Sequence, residues 1–432
     1  MDKMCCQSVV EFDVQVDRWV MSVLRGREVT FAQLVHALPG VYPSTVRASL
    51  MRLAATGAVG QKLLERMLIE STNCSPLLGS AVNAATSPVP HPLDFEWRYT
   101  SEAVNRLLRD LDGVSGPLLL LGTPSVAGNA ALQHPTRKVV VLDSNAVALA
   151  HLRNTYPRIE TELCDIVRDE LPLVVPGARV IIDPPWYPEF FEIFFWAACR
   201  LSRPDASVFV SLPPLGTRPG MQEERAQLFS FAKRMGLELV NLDEGVLPYL
   251  TPLFEYNALR AEGITGVPLN WRRGDLAEFV RNGTSPGPRP LAPPPDGGWR
   301  EVMISGVRIR IRERAAFGFE DPCLVPLVSG DILSSVSRRD PRRARVDVWT
   351  SGNRVFACQG PALFAHVLRA LLVGQSPVAL LTSALGRPLT SQEAAIVDRA
   401  SGQAGNLVQT EQREQVLWDE QRRHEGLAPV SV

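Results

Sequence analysis

Residues 178–186 read Ala-Arg-Val-Ile-Ile-Asp-Pro-Pro-Trp, and the reading of that stretch decides the architecture of the chain. Val180, Ile181 and Ile182 form an unbroken apolar run, too short for a helix, stopped by Asp183 and two prolines. Strands buried on both faces of a parallel sheet have this pattern. PLLLLG (117–122), KVVVLD (138–143) and ASVFVSLPP (206–214) repeat it. LELVNL (237–242) and the segment around LTPLFEYNAL (250–259) are read as the last strands. Between them lie helical stretches, SEAVNRLLRDL, NAVALAHLRNTY, EFFEIFFWAACRL and QEERAQLFSFAKRM. Strict alternation of strand and helix predicts an α/β, doubly wound open sheet over residues 93–265.

Ligands of such sheets bind beyond the carboxyl ends of the strands, where the strand order reverses. Three features fall there. Gly122, followed by Thr123-Pro124-Ser125, ends the PLLLL run; its missing side chain permits close backbone approach, and amides of the next helix are placed for an anion. Asp143 ends VVVLD about twenty residues on, where an acid accepts hydrogen bonds from a ribose diol. Asp165, in LCDI, stands at the next strand end, within reach of an adenine amine. Either acid is equally a helix cap. Asp183-Pro184-Pro185-Trp186 is the most specific signal. The prolines remove backbone donors, the carboxylate accepts from an amine nucleophile, and Trp186 offers a face to a planar or cationic group. That set suits alkyl transfer to nitrogen: the lone pair is aimed at a carbon and the departing proton has an acceptor.

In this order, PLLLLG, VVVLD, LCDI and VIIDPPW resemble a class I S-adenosylmethionine-dependent methyltransferase with a Rossmann-like sheet, and the DPPW tetrapeptide is similar to that of amino-methyltransferases acting on adenine or cytosine. Over about residues 10–265 the chain looks like the branched-chain polyamine synthase family, methyltransferase-like aminopropyltransferases with an N-terminal winged helix. HPLDFEWRYTSEAVNRLL, LLLLGTPSVAGNAAL, VVVLDSNAVALAHL, the Asp165 turn and IIDPP carry this resemblance. It implies S-adenosylmethionine or its decarboxylated form bound by Gly122, Thr123, Ser125, Asp143 and Asp165, with Asp183 at the acceptor amine. That family carries acids after the first-strand glycine, whereas this chain has Thr123-Pro124-Ser125. A polycationic acceptor needs carboxylates to offset its desolvation. Asp94, Glu96 and Glu189 would compensate in part.

Working outward, residues 8–70 read as a winged helix-turn-helix unit. Thr30 and Gln33 are spaced as a capping box, and a third helix starting at Ser44 buries Val46, Leu50 and Leu53 before Gly57 and a β-turn. Such a unit contacts DNA through its third helix or serves as a protein-binding or dimerisation module. Its eight Lys/Arg against seven Asp/Glu over residues 1–70 weigh against a strong phosphate-binding surface. Residues 71–92 read as a linker. Residues 283–298 hold six Pro and four Gly in sixteen positions, which excludes helix and central strand and predicts an extended linker. Residues 299–432 read as a C-terminal α+β domain: a half-exposed strand in WREVMISGVRIRIRER, a hairpin about Ser351-Gly352-Asn353, then helices, one starting after Thr390 with Glu393. Arg338, Arg339, Arg342, Arg343 and Arg345, around Asp340, are candidates for binding phosphate groups or an acidic partner, joined by the alternating Arg308, Arg310 and Arg312.

Composition limits what remains. With 45 Lys+Arg against 46 Asp+Glu, the whole molecule has no charge with which to wrap a polyanion. The seven cysteines are scattered without a CxxC pair, and the His residues make no HxxxH or HxH pair, so no metal is expected. MDKMCCQSVVEFDVQVD lacks the apolar core of a signal peptide and no stretch reaches a membrane span, so a cytoplasmic protein without a membrane partner is expected. Three readings follow. The chain alkylates the nitrogen of a nucleic-acid base or small amine, transfers an aminopropyl group, or keeps the fold as an inactive scaffold for nucleic acid, protein or a second copy, bound through the winged helix or the C-terminal domain.

Overall fold

The computed structural model describes residues 2–73, 89–295, 297–313, 319 and 322–424. Most of the 71–92 stretch, Cys74, and the side chains of Cys5 and Cys6 lie outside the described residues.

The chain opens with four helices, α1 (Asp2–Leu24), α2 (Phe31–His36), α3 (Pro43–Ala55) and α4 (Gln61–Thr72). The capping box forms: the Gln33 amide donates to Thr30 Oγ1 at 3.2 Å and the Thr30 amide to Gln33 Oε1 at 2.8 Å. Pro43 occupies the first helical position of α3, where its missing N–H costs nothing, so the helix starts one residue before Ser44. Val46, Leu50 and Leu53 are buried against Val16, Val20, Phe31 and Leu34. Gly57 leads into α4 instead of the β-turn of a wing, and no strand forms among the described residues 2–73. Leu64, Met67 and Ser71, at helical spacing, face inward and explain why this stretch coils. Arg47 donates to the carbonyls of Glu262 (2.5 Å) and Gly263 (3.2 Å), while Arg52 pairs with Asp17 (2.8 Å). The third helix thus spends its arginines inside the molecule.

The main sheet has strands β1 (Arg98–Tyr99), β2 (Leu118–Leu121), β3 (Val139–Asp143), β4 (Glu160–Leu163), β5 (Gly177–Ile182), β6 (Ser202–Leu212), β7 (Leu237–Leu250) and β8 (Arg273–Arg281). Their order is β1-β7-β8-β6-β5-β2-β3-β4. β4, β3, β2, β5 and β6 run parallel, and β8 is antiparallel to both β6 and β7. This is a doubly wound, Rossmann-like sheet, with its reversal of strand order between β2 and β5. Six helices accompany it: α5 (Ser101–Leu107), α6 (Pro124–Gln133), α7 (Ala146–Thr155), α8 (Pro188–Leu201), α9 (Met221–Arg234) and α10 (Leu253–Ala261). Side-chain alternation divides the strands cleanly. Leu119, Leu121, Val140, Leu142, Val180 and Ile182 pack on the phenylalanines of α8. Leu118, Leu120, Val139, Val141 and Ile181 pack on α5, α6 and α7. Two readings change here. LTPLFEYNAL is a helix, because Leu253, Phe254, Ala258 and Leu259 are buried at helical spacing. The last strand is Arg273–Arg281, beyond residue 265.

The third unit is α+β. A five-stranded sheet, β9 (Trp299–Ile304), β10 (Val307–Arg312), β11 (Leu324–Pro326), β12 (Val348–Thr350) and β13 (Val355–Cys358), carries α11 (Pro361–Leu372), α12 (Pro377–Leu385) and α13 (Ser391–His424). The expected single strand at 299–314 is a hairpin, since Ser305 and Gly306 both take positive φ, 49° and 84°, and turn the chain back. The hairpin about residues 351–353 forms as expected, with Asn353 at φ 71°. Among the described residues no single helix is long and apolar enough to cross a membrane.

The units interlock. Trp418 of α13 is buried and donates to the Thr251 carbonyl at 3.1 Å, and Asn257 of α10 donates to that of Gly352 at 2.9 Å. The Pro-rich stretch is a strap laid over the central unit. Arg289 donates to the carbonyls of Asp169 (2.7 Å) and Ile166 (2.5 Å), and Trp196 to that of Gly287 (3.0 Å). At the other junction a Cβ on Gly266 would stand 1.8 Å from the Glu70 carbonyl oxygen. Gly266→Ala is expected to cost about 1–3 kcal/mol through overpacking. Gly405→Ala, in open space inside α13, should stabilise by up to about 1 kcal/mol. Denaturant unfolding of the two variants checks the opposite signs.

Candidate active site

The carboxyl ends of β2, β3, β4 and β5 open into one cavity of about 780 Å³. Gly122, Pro124, Ser125, Asp143, Asp165 and the whole Asp183-Pro184-Pro185-Trp186 motif line it. Residues far apart in sequence converge there because each ends a neighbouring strand and faces the same edge of the sheet.

Gly122 makes the first turn. Its φ is +67°, and a Cβ would lie 3.1 Å from the Phe194 ring and 3.6 Å from the Asp183 carbonyl oxygen. The turn therefore needs glycine twice over, for its backbone angle and for space. Ser125 lines the cavity, whereas Thr123 is buried behind it, its hydroxyl without a hydrogen-bond partner.

Asp143 accepts from the Asn145 amide at 2.7 Å. Burial, with Glu96 and Asp94 nearby, raises its pKa to about 7. Both of those acids line the cavity. Asp94 is paired with Arg308 (2.7 Å) and Arg310, and Glu96 with Arg98 (2.8 Å). Asp165 accepts from the Val167 amide at 2.9 Å and lies 3.5 Å from Arg168. It caps its own turn and still borders the cavity, so the capping and ligand readings are compatible.

Asp183, directly after β5, meets a cluster of hydroxyls. The Tyr249 hydroxyl donates to its Oδ1 at 2.9 Å, lies 3.2 Å from the Tyr99 hydroxyl and is hydrogen-bonded to Ser211. Burial raises the Asp183 pKa to about 7, against the pull of these hydroxyls. Trp186 meets the Tyr249 ring edge-on at 5.7 Å, and the Arg272 guanidinium lies over it at 5.7 Å. Arg272 also lies over Trp97 and Trp271 and is paired with the buried Glu255, to which Trp97 donates at 2.9 Å. Gly274 leaves room for this packing: its Cβ would meet Ser211 Oγ at 2.8 Å and Trp186 at 3.2 Å.

The five candidate arginines separate. Arg338 and Arg339 line the cavity, lying over Phe190 (4.8 Å) and Tyr187 (5.3 Å) and paired with Glu189 (3.4 Å) and Glu224 (3.7 Å). Arg342 is clamped on Asp340 at 2.6 Å, Arg343 lies buried over Trp349 at 4.5 Å, and Arg345 does not border the cavity. Of the alternating set, Arg308 and Arg310 are held by Asp94 and Glu301, and Arg312 lies over Trp299 at 4.5 Å. Ser334, Ser335, Val336 and Ser337 complete a roof contributed by the third unit. Tyr99, Ser211, Tyr249, Arg218 and Arg272 had no local signal in the sequence. Among the described residues no group of three His, Cys, Asp or Glu side chains stands where it could hold a metal.

The residues fit an adenosyl sulfonium donor. The side-chain-free cradle at Gly122 and the acids at the ends of β3 and β4 stand on one side of the cavity.

No protein-family model and no curated protein matches the chain. Among solved structures, the chain is similar to a branched-chain polyamine synthase mutein from Thermus thermophilus in complex with N4-aminopropylspermidine and 5'-methylthioadenosine, at 15% identity and TM-score 0.49, covering 67% of this chain and 95% of that one. It is also similar to the N-methyltransferase NodS from Bradyrhizobium japonicum in complex with S-adenosyl-l-homocysteine, at 11% identity and TM-score 0.30, over 42% and 86% of the two chains. A TehB-like SAM-dependent methyltransferase from Corynebacterium glutamicum is similar at 14% identity and TM-score 0.29, over 41% and 87%.

Proposed function

We propose that the chain is an adenosyl-sulfonium-dependent N-alkyltransferase, with S-adenosylmethionine as methyl donor and Asp183 as the group that receives the amine's proton. The observation that carries this is the meeting, in one cavity, of a buried carboxylate poised near neutrality with the Gly122, Asp143 and Asp165 strand ends. Gly122 and Ser125 would hold the donor's amino-acid portion, Asp143 its ribose and Asp165 its adenine. When bound, the donor supplies an electrophilic carbon whose bond to sulfur breaks as the bond to the amine nitrogen forms. Asp183, oriented by Tyr249, holds the amine by a hydrogen bond, aims its lone pair and takes the released proton. Pro184 and Pro185 offer no competing N–H, and the roof at Ser334–Arg339 limits the access of water.

A second reading, aminopropyl transfer from decarboxylated S-adenosylmethionine, has one observation in its favour. Asp94 and Glu96 join Asp143 on the donor side, and a donor lacking its carboxylate carries more positive charge. Calorimetric titration with S-adenosylmethionine, its decarboxylated form and S-adenosylhomocysteine separates the two. Tighter binding of the carboxylated donor supports methyl transfer, and the reverse order supports aminopropyl transfer. Absence of heat with all three, in folded protein, would leave the scaffold reading.

A further inference from the structure

The cavity is not uniformly charged. On the donor side, over β2, β3 and β4, its lining acids are Asp94, Glu96, Asp143 and Asp165, and the two arginines that line it there, Arg168 and Arg310, are each paired with one of them. Past β5 the lining changes to Arg218, Arg272, Arg338 and Arg339 with Trp186 and Tyr187, and among the described residues Asp183 is the one carboxylate bordering both halves. Sheet order imposes much of the division: Asp143 and Asp165 stand at the ends of β3 and β4 on one side of the reversal, joined by Asp94 and Glu96 from the segment before β1, and the acceptor residues follow β5 and β6, precede β8 or descend from the roof.

The acceptor half carries more positive than negative charge at its mouth. Arg218 and Arg339 both lie over the Tyr187 ring, at 5.4 and 5.3 Å, and both call on a single carboxylate, Glu224, at 2.5 and 3.7 Å. Two guanidiniums sharing one carboxylate leave a unit of positive charge beside an aromatic face. Arg272, already over Trp186, occupies a site where a cationic ligand would otherwise stack. A polyamine in this half would meet guanidiniums whose carboxylates, Glu189, Glu224 and Glu255, are already engaged, a costly desolvation. A flat molecule with a negative group gains from both the rings and the charge.

We infer that the acceptor is a planar amine bearing an anionic group, a phosphate or a carboxylate, which Arg218 and Arg339 hold at the mouth while its ring lies against Trp186 and Tyr187 and its amine reaches Asp183. This rests on the N-alkyltransferase reading and narrows it. Guanidinium forks match both oxyanions in two-point geometry, and their reach from Asp183 sets where the amine must sit relative to the anion.

The test uses the full chain saturated with S-adenosylhomocysteine, so that only the acceptor half is open. Titrations compare cytidine 5'-monophosphate with cytidine, 4-aminobenzoate with aniline, and spermidine. The anionic member of at least one pair is expected to bind tenfold or more tightly than its neutral parent, and less tightly at high salt; which pair shows the larger ratio distinguishes phosphate from carboxylate. The double variant Arg218→Gln/Arg339→Gln should lose that ratio and keep its affinity for S-adenosylhomocysteine, which also reports that it is folded. Equal affinities within both pairs, or spermidine binding most tightly, would overturn the inference alone. Failure of S-adenosylhomocysteine to bind folded wild-type protein would overturn the donor reading and this inference with it.

Discussion

Asp183→Asn is expected to lower the transfer rate by about 10²–10⁴-fold while leaving donor affinity within about twofold. The amide keeps the shape of the carboxylate and still accepts from Tyr249, but it cannot take a proton from the amine. Because burial raises the Asp183 pKa to about 7, the wild-type rate should climb as pH rises through about 7, following the carboxylate form. Stability should move the other way. The folded-state pKa lies above the ordinary aspartate value of 3.8, so the native state binds more protons than the unfolded one between those two values. Stability contributed by the neutral acid is therefore complete below about 4 and is lost as pH rises to about 7, by about 1.4 kcal/mol for each unit of the rise. Asp143 adds to the same slope, since its pKa is also raised to about 7 by burial and by Glu96 and Asp94. The variant lacks the Asp183 part of this loss, so its melting temperature should fall less than wild type between pH 5 and pH 8. Rates and melting curves on one set of samples check both halves. Transfer retained within tenfold at pH 8 would show that another group takes the proton.

Gly122→Val should abolish measurable donor binding, a loss of more than about 100-fold. A branched side chain at φ +67° is strained by roughly 1–2 kcal/mol, and its Cβ begins 3.1 Å from Phe194. Phe194 belongs to the packed face of α8 and also lines the cavity, so either the turn moves or the ring is pushed into the space the donor would fill. The displaced turn carries Ser125 and the start of α6 with it, and those line the donor side. Gly113→Ala is the control: nothing lies within 4 Å of its added Cβ, and donor binding should be unchanged. Isothermal titration with S-adenosylhomocysteine reads both variants. Unaltered affinity in Gly122→Val would place the donor somewhere other than the first turn of the sheet.

Much of the central sheet was legible because its determinants are local. Runs such as Leu118–Leu121 and Val139–Leu142 are buried on both faces, so apolar continuity and a terminal Gly or Asp mark a strand and its carboxyl end together. Thr30 with Gln33 and Thr390 with Glu393 announced helix starts, since a capping box lies within four residues. The failures were of two kinds. Short apolar segments are ambiguous between helix and strand, as at Leu253–Ala261, where burial of Leu253, Phe254, Ala258 and Leu259 decides for helix. At Ser305-Gly306 the alternating pattern runs on through the pair, while positive φ at both residues makes the turn.

The arginines show the limit most clearly. Spacing alone grouped Arg338, Arg339, Arg342, Arg343 and Arg345 as one basic patch, but their partners come from elsewhere in the chain. Phe190, Tyr187, Glu189 and Glu224 draw two of them to the cavity, Trp349 buries a third and Asp340 neutralises a fourth. The strand ends, the glycine turn and the carboxylates at 143, 165 and 183 are legible locally, because each is written into a few consecutive residues. Tertiary structure decided what surrounds Asp183: the hydroxyls of Tyr249, Tyr99 and Ser211, and the roof from residues 334–339. Burial and long-range contact set the pKa of that carboxylate and the charge of the acceptor half, and neither quantity is encoded in any single segment.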